Sequence, residues 1–501
     1  MLNRLDSHLT RADDGELMIE GVCLSALVDL YGTPLHVISE ARLRENYRRI
    51  RDAFAARWEP GVEICYAIKA NPALAVRRVL ADEGAHGDCL GLPELQASLI
   101  AGTPGHTLVL NGNNKADDAI RAAVRCGARI NVDDPDEPGR IRAIATAEGR
   151  RARVGIRTKP DPAPLSDRLT ELAPGTVGSY VARSKWGLGP GQTANVAAAI
   201  LAMEELDLVG LHCHLGRHVP APALFGGLAD ALGSTIALLA SEAGWHPEIL
   251  TVGGGFTQGR DPYFRKPRDG GAWPRVGDSF VPAIEEYADS LCTRLAGAVD
   301  RAGVPAPRLG LEPGRYIAGP AGVTVTRVGT VKRASDRVWV EVDAAITHIG
   351  MSRSPTDAHA MAPVRTRGRG EERVDVVGPL CVLDLIAEQA PLERMQAGEL
   401  LAILDTGAYA DGEASNANSI GRPAVVLVCG EQADLIRRRE TFADVFGRDE
   451  IPARLLGSGS GAGGDAGARS CGAGGDAGAG VGAARTGAGQ GTAALLSGDR
   501  A

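Results

Sequence analysis

The sequence predicts a (β/α)8 barrel followed by a β-rich domain, and three observations support this prediction. Short apolar segments alternate with amphipathic helical segments between residues 34 and 308, which is typical of parallel βαβ units. About eight such units in roughly 270 residues fit a closed barrel better than an open sheet. From residue 309 the segments are short, β-rich and separated by turn residues, as in a β-sandwich or a small β-barrel.

Eight predicted strands alternate with helical segments, of which the first, ARLRENYRRIRDAFAARW (41–58), is clearly amphipathic. The predicted barrel strands are LHVIS (35–39), VEICYAIKAN (62–71), HGDCLG (86–91), HTLVLNG (106–112), RINVDD (129–134), RARVGIRTKP (151–160), LVGLHCHLG (208–216) and ILTVGGGF (249–256). Such barrels have their chemistry at the carboxyl ends of the strands. Polar residues at these ends are therefore the candidates for a functional site.

The predicted domains follow from the changes in pattern. Residues 1–33 are expected to join the β domain, 34–308 to form the barrel, and 309–457 to form the β domain. The last segment, 458–501, is rich in Gly, Ala and Ser and contains GAGGDAGA twice. Such a composition cannot bury a core, so we expect this tail to be disordered.

Composition and charge argue against several classes of protein. The 501 residues have a formal net charge of −8, which argues against nucleic acid as a partner. The nine cysteines are scattered and form no CxxC pair, so neither a zinc ribbon nor a disulfide framework is expected. The polar N-terminus lacks the apolar core of a signal peptide, and no apolar run is long enough to span a bilayer. We therefore expect a cytoplasmic protein without a membrane partner.

Lys69 lies in the apolar segment CYAIKAN (65–71), which Asn71-Pro72 ends. A lysine at the end of a buried strand is costly unless it is paired or used chemically. Desolvation is expected to lower its pKa and to make the amine a nucleophile that can form a Schiff base with an aldehyde cofactor. The alternative is a lysine that extends from the strand end into solvent.

Two further segments favour a charged cofactor. GGGF (253–256) follows a strand, and glycines there let backbone N–H groups approach an anion such as a phosphate, although a plain turn has the same pattern. Glu312 in EPGR follows another apolar strand. Its carboxylate can pair with a protonated pyridine nitrogen, or it can form a simple salt bridge with Arg315.

Histidine and cysteine side chains offer other chemistry. His212 and His214 alternate on one predicted strand and so share a face. A third metal ligand is not evident nearby, so packing of an imidazole on a cofactor ring is favoured over a metal site. Cys381, in VVGPLC, follows a strand and a Gly-Pro turn. Its thiol can act as a general acid on a loop, or it can be an inert small side chain.

Together these segments resemble the fold-type III pyridoxal-phosphate decarboxylases, the diaminopimelate, ornithine and arginine decarboxylase group, and most closely the diaminopimelate decarboxylase-like proteins. The resemblance runs from about residue 20 to about 446 and rests on YAIKAN (66–71), GAHGDCLGLPEL (84–95), INVDDPDE (130–137), SKWGLG (184–189), GLHCHLG (210–216), GGGF, EPGRYIAG (312–319), GPLC (378–381) and DTGAYA (405–410), in the family's order. It implies an alanine racemase-like barrel, a Greek-key C-terminal domain and pyridoxal 5'-phosphate as cofactor.

The resemblance also implies roles for the matched residues. Lys69 would form the Schiff base, and Cys381 would protonate the carbanion that remains after decarboxylation. The protein would be a homodimer in which Cys381 completes the partner's active site. The implied cofactor contacts are Asp88 beside the lysine, the stacking residue His214, the phosphate loop Gly253, Gly254 and Gly255, the ring-nitrogen partner Glu312, and Arg315 and Tyr409.

The chain departs from the family on the substrate side. Val382 stands where the diaminopimelate enzymes usually have Glu, and Asp384 is the acidic residue that can take over its role. The segment 341–361 lacks the family's Arg-Pro-x-x-Tyr-type sequence for a distal carboxylate, and Arg353 is the nearest substitute. Arg217 replaces the family's Ser. The expected substrate contacts are therefore Arg315, Tyr409, Asp384 and Arg353.

We therefore expect a pyridoxal-phosphate-dependent amino-acid α-decarboxylase that acts on a diamino or related amino acid. A true meso-diaminopimelate decarboxylase that makes L-lysine is the leading alternative. A racemase of the same fold would need a tyrosine base opposite the lysine, and the thiol in GPLC favours decarboxylation instead. An inactive regulatory relative would typically lose the lysine or the cofactor contacts, which this chain retains.

Overall fold

The computed structural model describes residues 7–161, 165, 184–216, 219, 221–258, 282–350 and 359–455. The chain divides into two compact units, Met1–Gly447 and Arg448–Ala501. All strands described below lie in the first unit, whereas the second contributes a single 3-10 turn, Ala453–Leu455, to the described part of the chain. The tail 458–501, for which disorder is predicted, lies outside the described residues.

The strands form three sheets. The N-terminal sheet comprises β1 (Leu9–Arg11), β2 (Leu17–Ile19) and β3 (Val22–Cys23). The strand β4 (Leu35–Ser39) precedes the barrel strands, which are β5 (Val62–Ala67), β6 (His86–Cys89), β7 (Leu108–Leu110), β8 (Arg129–Val132), β9 (Ala152–Arg157), β10 (Leu206–His212), β11 (Ile249–Thr251) and β12 (Arg308–Leu311). The C-terminal strands are β13 (Gly322–Arg333), β14 (Val338–Val342), β15 (Met361–Pro363), β16 (Glu371–Val377), β17 (Leu385–Glu393), β18 (Leu400–Leu404), β19 (Ala424–Cys429) and β20 (Gln432–Arg437).

The helices of the described residues lie mainly between the barrel strands. They are α1 (Leu24–Tyr31), α2 (Glu40–Ala55), α3 (Leu74–Asp82), α4 (Leu92–Ile100), α5 (Asp117–Cys126), α6 (Glu137–Glu148), α7 (Pro190–Leu201), α8 (Pro222–Ala243), α9 (Ile284–Ala302), α10 (Arg315–Ala318), α11 (Ile346–Ile349) and α12 (Phe442–Phe446). Helix α5 shows why they form. Its buried residues recur at helical spacing (Ala119, Ile120, Ala123, Val124), so one face packs on the barrel while charged residues face solvent.

Strands β5 to β12 are parallel and close the predicted barrel, following one another around it in chain order. The ring closes where β12 pairs with β5, with Leu309 opposite Val62. The fold class predicted from the sequence is therefore confirmed. A parallel arrangement places the carboxyl ends of all eight strands at one end of the barrel.

The interior of the barrel is partly polar. Arg129 on β8 donates to the carboxylate of Glu63 on β5 over 2.8 Å, and both side chains are buried. A Cβ at Gly155 on β9 would collide with the side-chain oxygen of Asn131 on β8. Glycine at this position therefore leaves room for a buried amide inside the barrel.

The two ends of the barrel differ from the predicted boundaries. The strand at 35–39, predicted as the first barrel strand, is β4, which pairs with β13 and β19 in the C-terminal sheet. The segment from 309, predicted to open the β domain, is β12 and completes the barrel. Both segments are short and almost wholly buried, so their apolar patterns do not reveal which sheet they join.

The C-terminal sheet joins β4 to the strands after residue 322. Its order is β17-β16-β14-β13-β4-β19-β20, and β18 pairs with both β13 and β15. Among the described residues, one helix, α8, is long and apolar enough to cross a membrane, but two thirds of its apolar window is buried. It packs along α9, and its apolar composition is therefore explained by its place in the core.

Candidate active site

A cavity of about 610 Å³ opens at the carboxyl ends of the barrel strands. Its polar lining consists of Lys69, Asp88, Asn111, Asn113, Arg157, Lys185, His212, His214, Glu312, Arg315, Tyr409 and Glu413. Gly254 and Gly255 also line it. The structure thus brings together most of the site residues that the sequence suggested.

Lys69 follows β5 in a 3-10 turn, Ile68–Ala70. Its Nζ lies 2.8 Å from Oδ2 of Asp88, at the end of β6, and 37% of the lysine side chain is exposed while Asp88 is buried. Burial alone lowers the pKa of Lys69, but the carboxylate of Asp88 and the nearby Tyr409 and Glu312 outweigh it, so the pKa is raised. The predicted lowering is therefore wrong for this structure, because the lysine is paired.

Glu312, directly after β12, is buried beneath the cavity. Its Oε2 lies 3.0 Å from Nε2 of His212, and its Oε1 accepts a 2.7 Å hydrogen bond from Nδ2 of Asn111. Burial opposes ionisation, but the neighbouring His212 and Lys69 lower the pKa of Glu312 below its ordinary value. The structure therefore gives Glu312 an anionic carboxylate within the barrel.

His214 lies beyond the end of β10, beside the glycine segment 253–255. The N–H of Gly216 donates to its Nδ1 over 2.8 Å. Burial, with the positive charge of Arg157, lowers the pKa of His214 to about 3. The ring is therefore neutral at physiological pH and presents a flat, uncharged surface next to the cavity.

The glycines 253–255 are required by close approach. A Cβ at Gly254 would collide with the carbonyl oxygen of Glu312, and one at Gly255 with the carbonyl oxygen of Gly216. Gly253 and Gly255 also have φ of +72° and +94°, which other residues rarely adopt. This bare backbone at the cavity suits an anionic group such as a phosphate.

Gly253→Ala should both weaken cofactor binding and destabilise the fold. The new Cβ would lie 2.7 Å from Cδ2 of His214 at a φ of +72°, so the imidazole must move. We expect a loss of about 1–3 kcal/mol in the free energy of unfolding, measured by chemical denaturation. Gly303→Ala is the matched control, because its φ is +66° but its Cβ would meet nothing within 4 Å. Equal effects on cofactor binding in the two variants would mean that the contact between residue 253 and the His214 imidazole does not matter for cofactor binding.

Arg315 and Tyr409 lie together on one side of the cavity. The Arg315 guanidinium carbon is 4.7 Å from the centre of the Tyr409 ring. The N–H of Tyr409 donates to the carbonyl of Ala70 over 2.7 Å, which links its loop to the turn that bears Lys69. Tyr409 also has a φ of +60°, a conformation that is strained for a bulky residue and is often found at functional sites.

Sequence reasoning missed several lining residues. Asn111 lies between the carboxylates of Asp88 and Glu312 and donates to both. Trp186, within the recognised SKWGLG segment, lies in the cavity wall, where the charged groups of Arg157 and Lys185 are 5.3 and 5.1 Å from its ring centre. Its indole N–H donates to Asn113 over 3.2 Å. The segment itself was the only signal for Trp186, whereas Asn111 gave none.

Of the expected substrate contacts, Arg315 and Tyr409 line the cavity, whereas Asp384 does not. Cys381 is exposed and does not line the cavity, and its Sγ lies 3.4 Å from Oδ1 of Asn418. Asp384 is buried, and its carboxylate accepts the backbone N–H groups of Ile346 and Leu380. In this structure the Asp384 carboxylate therefore stabilises the backbone of its own loop. This differs from the predicted contact with the substrate. Arg353 and Arg217 lie outside the described residues.

The geometry fits pyridoxal phosphate. The cavity contains an amine, a buried anionic carboxylate, a neutral imidazole and a glycine segment with no room for side chains. These features define the class as a (β/α)8-barrel enzyme with a site suited to an aldehyde cofactor. Residues 40–319 match the family model described as pyridoxal-dependent decarboxylase, pyridoxal binding domain. The chain belongs to this family of pyridoxal-dependent decarboxylases, which the sequence resemblance predicted, and is a carboxy-lyase.

Similar proteins extend the match to most of the chain. A diaminopimelate decarboxylase of Methanothermobacter thermautotrophicus is 33% identical over 446 residues, which cover 89% of this chain and 98% of that protein. One from Actinosynnema pretiosum is 35% identical and covers 88% and 94%. The solved structure of diaminopimelate decarboxylase from M. jannaschii in co-complex with L-lysine is 28% identical, has a TM-score of 0.80 and covers 91% and 100%.

Proposed function

We propose that this decarboxylase binds pyridoxal 5'-phosphate through Lys69 and removes the α-carboxylate of an amino acid with a second polar end. The observation that supports this most directly is the convergence of Lys69, Asp88 and Glu312 on one cavity. When bound, pyridoxal phosphate supplies an aldehyde that condenses with amines and a ring that accepts the electrons left by departing carbon dioxide. The relatives act in amino-acid metabolism, and we place the reaction in the cytoplasm.

The side chains around the cavity would orient the bound cofactor and determine which of its groups carry a charge. The Lys69 amine must release a proton before it can attack an aldehyde, since its pKa is raised. Glu312 would stabilise a proton on the ring nitrogen, because its carboxylate is anionic and buried. The glycine segment 253–255 would bind the phosphate, and the neutral His214 would pack on the ring.

Positively charged side chains around the cavity indicate the kind of substrate it binds. Arg157, Lys185 and Arg315 line it, and cations of this kind suit substrate carboxylates. The relatives named above are diaminopimelate decarboxylases, so meso-diaminopimelate is the first substrate to test. Val382 and the buried Asp384 argue that any recognition of its distal end differs in detail from the family pattern.

The deciding experiment measures carbon dioxide release from the cofactor-loaded protein. Meso-diaminopimelate would be supplied beside lysine, ornithine, arginine and glutamate, each at the same concentration. We expect release from diaminopimelate, with formation of lysine as the second product. Release from another acid instead would reassign the substrate, whereas absence of release from all five, in protein that shows the cofactor's visible absorbance, would count against decarboxylation of these amino acids.

We further propose a homodimer in which Cys381 completes the partner's site. The thiol is exposed, and the next two residues, Val382 and Leu383, expose 63% and 78% of their surface. Adjacent exposed apolar side chains favour an interaction surface. The cavity around Lys69 lacks this thiol within one chain.

Cys381→Ala should retain the cofactor and slow turnover by about 10²-fold or more, because a general acid is lost. Mixing this variant with Lys69→Ala should restore part of the activity, since a mixed dimer would contain one site with both residues intact. The measurement is carbon dioxide release before and after mixing, with each variant alone as the control. Absence of recovery in mixed dimers that are seen to form would mean that the sites are not shared.

A further inference from the structure

We propose that Asn111 is a positioning residue for the cofactor site, whose amide fixes the orientation of Asp88 and Glu312 and favours the ionised form of Glu312. Asn111 directly follows β7 and lies between the two carboxylates. Its Nδ2 donates one hydrogen bond to Oδ1 of Asp88 and one to Oε1 of Glu312, each over 2.7 Å. An amide nitrogen has two N–H groups, so these two bonds use its full donor capacity.

The orientation of this amide is fixed from the other side. Asn131 on β8 donates its Nδ2 to Oδ1 of Asn111 over 2.5 Å, and both asparagines are buried. A flipped Asn111 would point its oxygen at two carboxylates, which would be repulsive. Gly155 provides the space in which Asn131 lies. The absence of a side chain at Gly155 on β9 therefore contributes to the position of an amide two strands away.

The arrangement links the two charges on which the proposed function depends. Asp88 uses its other oxygen for the Lys69 amine, and Glu312 uses its other oxygen for His212. Without a hydrogen-bond donor between them, two buried carboxylates this close would repel each other, and one of the two would favour its protonated form. A hydrogen bond from an amide N–H favours the ionised form of the carboxylate that accepts it, here that of Glu312. Asn111 thus fixes the position of the carboxylate that pairs with Lys69 and favours the negative charge of Glu312.

The inference rests on the proposed function, since it concerns the charge around the bound cofactor. The charged and titratable groups around the two carboxylates include Lys69, Glu94, Arg129, Arg157, His212, His214, Arg315, Tyr409, Glu413 and the buried thiols of Cys65, Cys89 and Cys213. They are unchanged in variants of Asn111. A shift in the pH dependence of such a variant therefore reports on the amide.

The test is an acid titration of the cofactor-loaded protein, followed by its visible absorbance and by release of the cofactor. In Asn111→Ala the Glu312 carboxylate loses a hydrogen-bond donor and becomes easier to protonate, so the midpoint of cofactor loss should move up by about one to two pH units. Asn111→Gln, which keeps an amide, should recover part of this shift. An unchanged midpoint in Asn111→Ala would overturn the proposal.

Asn46→Ala is the matched control. Asn46 is another buried asparagine, with 4% exposure like Asn111, but its amide donates to the backbone carbonyl of Ile317. It should lose stability without a change in the midpoint, and an equal shift in both variants would make the effect of Asn111 merely structural. If Asn111→Ala does not fold, Asn131→Ala tests the same idea, because it frees the amide to turn and should shift the midpoint in the same direction.

The proposed function and this inference fail in different ways. Wild-type protein that shows no visible absorbance with pyridoxal phosphate would overturn the proposed function. Wild-type protein that absorbs, with an Asn111→Ala variant that titrates identically, would overturn the inference alone.

Discussion

Lys69→Ala should abolish the visible absorbance of the cofactor-loaded protein and lower kcat/KM by about 10³-fold or more. Lys69 combines the properties that the reaction needs, since its amine enters the cavity and is paired with Asp88 at 2.8 Å. Alanine removes the only group there proposed to bond with the cofactor aldehyde. Borohydride should link pyridoxal phosphate to Lys69 in the wild type, and mass spectrometry of the peptides would locate the link.

Lys185→Ala is the control for this experiment, because Lys185 also lines the cavity. It should keep the visible absorbance and the borohydride-stable link at Lys69. A link that moves to another lysine, or an absorbance that survives in Lys69→Ala, would contradict the assignment.

The pKa of the Lys69 amine provides a second test of its pairing with Asp88. Asp88→Asn should lower the pKa of the Lys69 amine, since the neighbouring carboxylate raises it, so that loading with cofactor becomes faster near neutral pH.

The sequence predicted the fold class and most of the cofactor side of the site, for a physical reason. Parallel barrels place strand ends together, so Lys69, Asp88, His214 and the glycines 253–255 could be assigned to one end of the barrel from the sequence, whereas Glu312 was placed in the β domain. The boundaries between the barrel and the C-terminal sheet were predicted less well. Strand β4 and strand β12 are equally apolar and short, and only their pairing partners distinguish the C-terminal sheet from the barrel.

Contacts between distant residues explain the remaining differences. Asn111 precedes Gly112 at a strand end, a pair that reads as an ordinary turn, and its two carboxylate partners are distant in sequence. The pKa of Lys69 depends on Asp88, Tyr409 and Glu312, which together outweigh the effect of burial. Asp384 appeared suited to a substrate, yet its loop turns it inward onto backbone N–H groups. These are properties of geometry that residue types and spacing do not encode.

Glu312→Gln should reduce kcat/KM by about 10²-fold or more, because it removes the negative charge proposed to pair with the ring nitrogen while keeping the size of the side chain. The carboxylate is buried, and its pKa is lowered by His212 and Lys69, so the wild-type site retains the charge over the working pH range. A neutral amide cannot stabilise a proton on the nitrogen to the same extent, and the ring then accepts electrons less readily.

Two further variants test whether the loss of activity in Glu312→Gln comes from the loss of the negative charge at this position. Glu312→Asp keeps the charge but withdraws it by one methylene group, so its activity should lie between those of the wild type and Glu312→Gln. Glu16→Gln is the control for loss of a buried carboxylate. Glu16 is 3% exposed and pairs with Arg365, which remains partly exposed, so this change should leave kcat/KM and the visible spectrum unaltered. Wild-type kinetics in Glu312→Gln would show that catalysis does not need a charged partner at the ring nitrogen, and the role of Asn111 would then rest on Asp88 alone.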